Sequence, residues 1–382
     1  MKTDEITLFR KQPVSLASGE TVKHSDDAVV IRFPGLRNVL STSWMNGGYR
    51  EDLVAVFNHQ ISLEACDVCH AGDGSVHQYL NGVARNLGLD QETATGLITR
   101  AEMKNTAIVT ESFRDLTVTA IVTAGIDKNG GRAGDPASYY ENGDSCEPVG
   151  GTINTILLIN ADLPEYAMTR AVMTATEAKA VALQQLMARS IYSTGIATGS
   201  GTDMIVIVAD PGSSRHLSNA GKHSKLGELI GLNVIRATTA ALEMETGLSF
   251  ASQRDMLVRL SRFGVTGEDI WNAAAPRYQK ILSGNPVKEK FMDCLRKKAW
   301  EPECVAVVSA ILHIIDEVEW NLLPKQEAKR AACRLIREGF YLDDFTCEES
   351  ESILLCLTRA LSVWVFRTSQ IPEWDSITPV GK

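Results

Sequence analysis

A chain of 382 residues with 44% hydrophobic and 22% charged residues has enough apolar material for one large domain or two ordinary ones. The formal net charge of -9 argues against a nucleic-acid-binding protein, because contacts to phosphate groups require a basic surface. The first twenty residues lack the apolar core of a signal peptide, and the uncharged run at 304–315 is too short to span a bilayer. We therefore expect a cytoplasmic protein that binds no membrane.

Apolar runs and periodic patterns divide the first 250 residues into strands and helices. Short β-branched runs bounded by Gly, Asn, Asp or Pro predict strands at 28–33, 53–61, 115–125, 151–160 and 203–210. Longer patterns with helical spacing predict helices at 75–90, 164–190 and 225–247. The polar stretch 126–150 predicts a long loop that is functional or mobile. The result is an α+β domain over residues 1–250, with a mixed β-sheet flanked by helices.

Strand signals vanish after residue 255. The rest of the chain shows amphipathic helical patterns separated by Gly and Pro, which predict a smaller all-α domain over residues 255–382. Thr346 and Glu349 have the spacing of a capping box and predict a helix start there. The role of this domain is open, and one expectation is that it docks a protein partner.

The eight cysteines show no disulfide framework for a chain of this size. The segment CDVCH, from Cys66 to His70, matches the attachment pattern of c-type haem, but that attachment requires export and no export signal is present. A zinc site would recruit Cys66, Cys69 and His70 or His77, but no second pair follows at ligand spacing. We expect two reduced thiols here, no cofactor and no metal. The five cysteines of the helical domain are scattered and are expected to fill its core.

The stretch IATGSGTDMIVIVAD, residues 196–210, places small polar groups directly before a buried strand. It lacks the G-K-[ST] ending of a Walker loop, and it opens a strand where the dinucleotide fingerprint would open a helix. It is either a turn that requires glycine or a place where backbone N–H groups and short side chains meet a ligand. The candidate ligand contacts are Thr198, Gly199, Ser200, Gly201, Thr202 and Asp203.

Other apolar runs end in the same chemistry, with Ser, Thr, Asn or His near Gly. Hydroxyl and amide groups gathered at strand ends predict a pocket that binds a large polar ligand through many hydrogen bonds. The residues expected to line it are Ser41, Thr42, Ser43, Asn58, Thr123, Thr152 and Asn154. Glu177 and His223 add titratable groups, although a solvated helix face and an exposed histidine are the simpler interpretations.

Six of these motifs resemble one family when they are taken in order. VLSTSWMNGG, VTAG, GGTINTILLIN, TATEAKA, ATGSGTD and GKHSKLGELIG are similar, in sequence and spacing, to the adenosylcobinamide amidohydrolases, often called CbiZ. The resemblance covers roughly residues 28–245 and leaves out the helical domain. The family pattern has threonine where this chain has Ser200, a change that keeps the hydroxyl group.

The resemblance implies a hydrolase with a corrinoid substrate. Such enzymes cleave the amide that joins the corrin ring to its aminopropanol arm, which gives adenosylcobyric acid for corrinoid salvage and cobamide (vitamin B12) remodelling. A pocket of hydroxyl, amide and N–H groups suits the amide-rich rim of that ligand. The alternative from another class is a non-catalytic corrinoid-binding or delivery protein. A homo-oligomer is left open.

Amide hydrolysis requires an activated nucleophile, an oxyanion site and an acid for the leaving amine. The sequence has no G-x-S-x-G elbow and no H-E-x-x-H zinc site. We expect Asp203 or Glu177 to be the general base, acting on water or on Thr198, and His223 to protonate the amine. The N–H groups of Gly199 and Gly201 would hold the oxyanion. An alternative is autocatalytic cleavage before Thr152, which would make that threonine an N-terminal nucleophile.

Overall fold

The computed structural model describes residues 13–16, 18–62, 75–137, 152–278 and 285–369. These residues form two compact units that divide between Ser249 and Phe250. The first unit contains a mixed sheet with helices, and the second is helical in all of its described elements. The predicted α+β fold class is confirmed.

Eleven strands are present in the described part of the first unit. They are β1 (Val14–Ser15), β2 (Thr21–His24), β3 (Ala28–Ser41), β4 (Gly48–Gln60), β5 (Ala94–Thr99), β6 (Ala107–Phe113), β7 (Leu116–Ala124), β8 (Gly130–Gly131), β9 (Ile153–Ile159), β10 (Gly199–Ser200) and β11 (Met204–Ala209). Nine of them form one sheet, and β8 and β10 form a separate antiparallel pair.

The nine-stranded sheet curls along the long β3–β4 hairpin. Its main path is β6-β7-β9-β11-β3-β4-β5, and the β9–β11 and β4–β5 pairs are parallel. The β3–β4 register shifts between Arg32 and Arg37, which is a bulge that bends the hairpin. Before the bulge β3 pairs with β2, and after it β3 pairs with β11. The two halves of the hairpin therefore belong to different parts of the sheet.

In the described part of the first unit three helices cover the outside of this sheet: α1 (Ser75–Asn86), α2 (Glu165–Gln185) and α3 (Lys225–Thr246). Alternation along β9 shows the two faces. Ile153, Leu157 and Ile159 pack with α2 and α3, while Ile156 and Leu158 join a second apolar cluster with residues of β3, β4 and β5. The side of β9 that carries Ile156 and Leu158 therefore faces the interior of the curl.

The sequence fixes the ends of α3 through its caps. The Ser224 side chain accepts a hydrogen bond from the Gly227 backbone N–H, as an N-cap residue does. Gly247 closes the helix in the left-handed region at φ 73°, where a residue without a Cβ is favoured. Both ends of this helix were predictable from residue type.

The second unit packs its helices around an aromatic core. Its helices are α4 (Met256–Leu260), α5 (Gly267–Tyr278), α6 (Asn285–Lys298), α7 (Pro302–Glu319), α8 (Lys325–Gly339) and α9 (Ile353–Thr368). Phe366 of α9 lies 4.6 Å from Phe291 and 5.5 Å from Trp271, measured between ring centroids. Among the described residues, no helix is both long and apolar enough to cross a membrane.

Two details of the helical unit differ from prediction. Helix α9 begins at Ile353 and its N-cap is Ser352, so a helix start at Thr346 is wrong; the Glu349 partner of that capping box lies in the turn before α9. Cys333 and Cys347 form a disulfide, which the absence of a framework pattern did not predict. The CDVCH segment lies outside the described residues.

The sheet also contains strands that the apolar pattern missed. Gly96 interrupts the pattern of β5, yet a Cβ at this position would lie 2.1 Å from the Phe57 ring. The close approach of Phe57 therefore requires glycine inside a strand. Among the described strands β6 pairs only with β7, and it carries the polar residues Thr110, Glu111 and Ser112 before its last residue, as edge strands commonly do.

A buried ion pair in the second unit gives a test of its stability. Arg262 donates two hydrogen bonds to Asp316, at 2.9 and 2.7 Å, and both side chains are buried. Asp316→Ala leaves the guanidinium group buried without this partner, so we expect a loss of about 3–5 kcal/mol in the free energy of unfolding. The exposed pair of Arg330 and Glu327 is the control, and Arg330→Ala should cost about 0–1 kcal/mol. Equal losses in urea unfolding of the two variants would contradict the prediction.

Candidate active site

Asp203 is the centre of a hydrogen-bonded cluster at the end of the sheet where β9 and β11 begin. Its Oδ1 accepts from the Ser200 hydroxyl at 2.6 Å and from the Ile153 backbone N–H at 3.0 Å. Its Oδ2 accepts from the Ser200 backbone N–H at 3.0 Å and from the Lys179 ammonium group. Four donors therefore fix this carboxylate, and they join the loop before β11 to β9 and to α2.

Lys179, and not Glu177, extends from α2 to this cluster. The side chains of Lys179 and Asp203 are only 14% and 15% exposed, so solvent screens their attraction weakly. Residues two apart on a helix do not face each other. Glu177 is accordingly exposed and binds Lys222 on the surface. The structure does not bring Glu177 together with Asp203.

Gly199 makes room for the ion pair. A Cβ at this position would lie 2.3 Å from Asp203 Oδ2 and 2.8 Å from Lys179 Nζ, which is closer than any side chain tolerates. Gly201, in the turn that follows, is exposed and has nothing within 4 Å of its Cβ position. The first glycine of ATGSG is thus required by the carboxylate–ammonium contact.

The loop is held from the other side by the segment around β8. Gly199 and Ser200 pair with Gly131 and Gly130. The Thr198 hydroxyl accepts a hydrogen bond from the Ala133 backbone N–H at 3.0 Å. The start of the predicted 126–150 loop is therefore bound to ATGSG, while residues 138–150 lie outside the described part of the chain.

Thr152 and Thr202 connect the loop to the start of β9. Their hydroxyl oxygens are 2.7 Å apart, and Thr152 is buried. The residue before it, position 151, lies outside the described residues, so cleavage before Thr152 stays a prediction.

An amide and hydroxyl cluster lies inside the curl below this loop. Asn58 donates to the Thr123 hydroxyl at 2.8 Å, and Asn154 donates to Asn58 Oδ1 at 2.7 Å and to the Ile98 carbonyl at 2.9 Å. Thr123 and Asn154 are directly paired on β7 and β9. All three side chains are at most 4% exposed, and within the described part of the chain Asn154 Oδ1 has no hydrogen-bond partner. Three residues predicted from separate motifs are thus brought together.

The hydroxyl groups of 41–43 serve mainly to hold strands together. The Ser41 and Ser43 side chains are buried against β5, where Ser43 donates to the Gly96 carbonyl at 2.5 Å. Thr42 exchanges hydrogen bonds with the backbone of Ile205, two residues after Asp203. These contacts fix the end of β3 beside the start of β11.

His223 lies at the other end of the sheet. Lys225, two residues later, has its ammonium group 4.6 Å from the Phe113 ring centroid. Phe113 pairs with Leu116 at the first residue of β7, whereas Thr123 is seven residues further along that strand, roughly 23 Å away at 3.3 Å per residue. The exposed His223 is therefore not brought together with Asp203.

The structure places two titratable groups near the cluster that the sequence did not identify as candidate site residues. Glu245, in the last turn of α3, accepts from Asn105 Nδ2 at 2.6 Å, and burial raises the pKa of its carboxyl group. It lies beside Gly125, whose N–H donates to the Thr152 carbonyl. Spacing along the chain gave no signal for Glu245, because only the length and direction of α3 bring it to this edge.

His59 is the second such group. Its Nε2 is 2.8 Å from the Tyr79 hydroxyl, and burial lowers the pKa of the imidazole. It faces a cleft of about 300 Å³ on the α1 side of the sheet, lined also by Asp27 and Asn86. Because side chains alternate along a strand, His59 points away from its neighbour Asn58. The VFNHQ motif thus contributes to both faces.

Convergent metal-ligand side chains are found elsewhere. Within the described ranges, the only group of three or more such side chains whose ligand atoms meet is Cys333, Cys347 and Cys356 of the helical unit. The cluster at Asp203 offers instead a carboxylate, an ammonium group, hydroxyl groups and N–H groups, which are the parts needed for proton transfer and for binding a polar ligand.

The contact at Gly199 gives a stability prediction. Gly199→Ala must displace the Asp203 carboxylate or Lys179, so we expect a loss of about 1–3 kcal/mol in the free energy of unfolding. Gly201→Ala meets no atom and should change stability by no more than about 0.5 kcal/mol. Thermal and urea unfolding of both variants measure this difference. A Gly199→Ala variant as stable as the parent would show that the pair is not fixed as described.

Comparison with known proteins identifies the family of the first unit. The sequence pattern of the adenosylcobinamide amidohydrolases, CbiZ, matches residues 13–250. An uncharacterized protein of Methanocaldococcus jannaschii is 37% identical over 227 residues, which is 56% of this chain and 85% of that protein. A protein of Methanosarcina mazei named adenosylcobinamide amidohydrolase is 27% identical over 209 residues, covering 52% of this chain and 88% of the relative.

A match to a solved structure has a lower sequence identity than these two relatives. A crystal structure of a Pyrococcus horikoshii protein aligns with 63% of this chain and 83% of its own, at a TM-score of 0.30 and 12% identity. The family pattern matches more than half of the chain and includes every residue of the Asp203 cluster and of the Asn58–Thr123–Asn154 cluster. The chain belongs to the adenosylcobinamide amidohydrolase family.

Proposed function

We propose that the first unit hydrolyses the amide bond between the corrin ring and the aminopropanol arm of adenosylcobinamide, which yields adenosylcobyric acid. The observation that carries this proposal is the Ser200–Asp203–Lys179 arrangement inside the matched residues 13–250. A hydroxyl group 2.6 Å from a carboxylate is within the distance at which a general base accepts a proton. Salvage of corrinoids for cobamide assembly is the role that follows from that product.

Asp203 is the proposed general base, and Ser200 is the hydroxyl that it activates. Asp203 reaches Ser200 directly, whereas the Thr198 hydroxyl contacts the Ala133 backbone. Gly199 and Gly201 flank Ser200, so their N–H groups are suitably placed to hold an oxyanion that forms there. Lys179 supplies a positive charge beside the carboxylate and the developing anion.

Glu245 is the proposed proton donor for the leaving amine. It lies at the same edge of the sheet as Thr152, and its raised pKa favours the protonated form that a general acid requires. His223 lies at the opposite end of β7, and no described contact supports its predicted role as the acid.

The interior cluster is the proposed recognition site for the amide-rich rim of the corrinoid. Asn154 Oδ1 is a buried acceptor that no other described residue binds, and a ligand amide N–H would satisfy it. A pocket that hydrogen-bonds its ligand in this way discriminates strongly against analogues that lack the donor.

A corrinoid-binding or delivery protein is the second candidate. The observation that favours it is the complete set of four donors around Asp203, because a carboxylate held in this way can serve structure alone. Both candidates predict ligand binding, and only the second predicts that adenosylcobinamide is recovered unchanged.

The two candidates separate when purified chain is incubated with adenosylcobinamide and the products are followed by chromatography and mass spectrometry. We expect adenosylcobyric acid, and a fall in turnover of roughly 10²–10⁴-fold in Asp203→Asn and in Ser200→Ala, because base and hydroxyl act together. Ser200→Thr keeps the hydroxyl group and should stay within about tenfold of the parent rate. Lys225→Met, which removes an exposed lysine at the other end of the sheet, is the matched control.

Tight binding with no product would establish the delivery protein. Product formation that is equal in Ser200→Ala, Ser200→Thr and the parent would remove Ser200 from the mechanism while leaving the reaction in place.

The proton donor is tested by a second pair of variants. Glu245→Gln keeps the hydrogen bonds of the carboxylate in part but cannot give up a proton, so turnover should fall roughly 10²-fold with little change in KM. His223→Ala should retain turnover, because that side chain lies far from the cluster. The reverse outcome, a slow His223→Ala and a normal Glu245→Gln, would restore the histidine as the acid.

A further inference from the structure

Three cysteine sulfurs converge in the helical unit. Cys333 lies on α8, Cys347 lies in the segment after α8, and Cys356 lies on α9; their Sγ atoms are all within 4.8 Å of one another. Cys333 and Cys347 form a disulfide, and Cys356 is a free thiol. In tetrahedral zinc sites the Zn–S distance of about 2.3 Å places sulfurs roughly 3.8 Å apart. Reduction of the disulfide would therefore leave three thiols at a separation suited to one metal ion.

The third sulfur has no role in the disulfide. Cys356 is buried, and its thiol donates to the Glu351 carboxylate at 3.3 Å. A metal ion displaces the proton of the thiol that it binds.

Two cationic side chains, Arg359 and Lys329, lie near Cys356. Arg359 binds Glu351 through two hydrogen bonds of 2.9 and 2.8 Å, and Lys329 donates to the carbonyl groups of Glu348, Glu349 and Glu351. Three thiolates, a divalent cation and the Glu351 carboxylate carry a net charge of -2, which Arg359 and Lys329 would balance. Cys333 and Cys347 are partly exposed, so a metal ion can reach the sulfurs from solvent.

We propose that Cys333, Cys347 and Cys356 form a binding site for one thiophilic divalent cation such as Zn²⁺ in the reduced chain. A dithiol reductant transfers two electrons and two protons to the Cys333–Cys347 disulfide and is itself oxidised to a disulfide. Zn²⁺ then forms three Zn–S bonds and releases three protons, and water fills the fourth position. The disulfide form is the oxidised, metal-free state of the same site. This inference is independent of the amidohydrolase activity.

The test uses full-length chain reduced with dithiothreitol, freed of reductant under anaerobic conditions and titrated with Co²⁺. We expect one Co²⁺ per chain, a thiolate-to-cobalt charge-transfer band, and loss of that band when Zn²⁺ is added. The oxidised chain should show no band. Absence of the band from the reduced parent chain would overturn the proposal and leave a structural disulfide beside an unrelated thiol.

Cysteine variants test which side chains bind the metal ion. Cys356→Ser and Cys347→Ser should each weaken Co²⁺ binding by more than the roughly 10–100-fold that loss of an outer-shell contact costs. Cys294→Ser removes a free cysteine outside the cluster and should leave the band unchanged. The double variant Cys66→Ser, Cys69→Ser should also keep it. A band that survives in Cys347→Ser and disappears in the double variant would place the metal at CDVCH and overturn the proposal, and circular dichroism shows which variants are folded.

Discussion

The Lys179–Asp203 ion pair determines how the rest of the site is arranged. It joins α2 to the loop before β11, and the same carboxylate receives the N–H of Ile153 at the start of β9. A mostly buried carboxylate loses much of its hydration, and that loss is tolerated only when charged and polar partners replace water. Gly199 is needed because any side chain would separate the two charges. One electrostatic contact thus explains two features of ATGSGTD: the glycine and the serine that follows it.

A second constraint is the bulge in the β3–β4 hairpin. Because β3 pairs with β2 before the bulge and with β11 after it, the sheet curls and β4 is brought opposite β7 and β9. Asn58, Thr123 and Asn154 meet only for this reason. Buried polar groups cost free energy unless they are bonded, and among the described residues Asn154 Oδ1 has no hydrogen-bond partner. A ligand that donates a hydrogen bond to this oxygen is the proposed occupant of the position.

Prediction from sequence succeeded where local chemistry decides structure and failed where tertiary geometry does. The helix predicted at 225–247 and the strand predicted at 203–210 depend on neighbouring residues, and the structure has them as α3 and β11. Glu177 and Lys179 are two residues apart in one motif, and only packing of α2 decides that the lysine faces Asp203. His223 precedes α3 and Glu245 lies in its last turn, so only the path of this helix decides where each side chain lies. β5 was missed because glycine has a low strand propensity, and Gly96 is required there by the close approach of the Phe57 ring.

The two units also differ in how they use charge and sulfur. In the first unit the Asp203 carboxylate contacts both the Lys179 ammonium group and the Ser200 hydroxyl. In the second, the Glu351 carboxylate accepts from the Cys356 thiol and from Arg359, and Lys329 binds the backbone carbonyl of Glu351. The family pattern ends at residue 250, so Cys333, Cys347 and Cys356 lie outside the residues that it matches. The proposed metal site therefore rests on the sulfur geometry of the helical unit and on no property of the family.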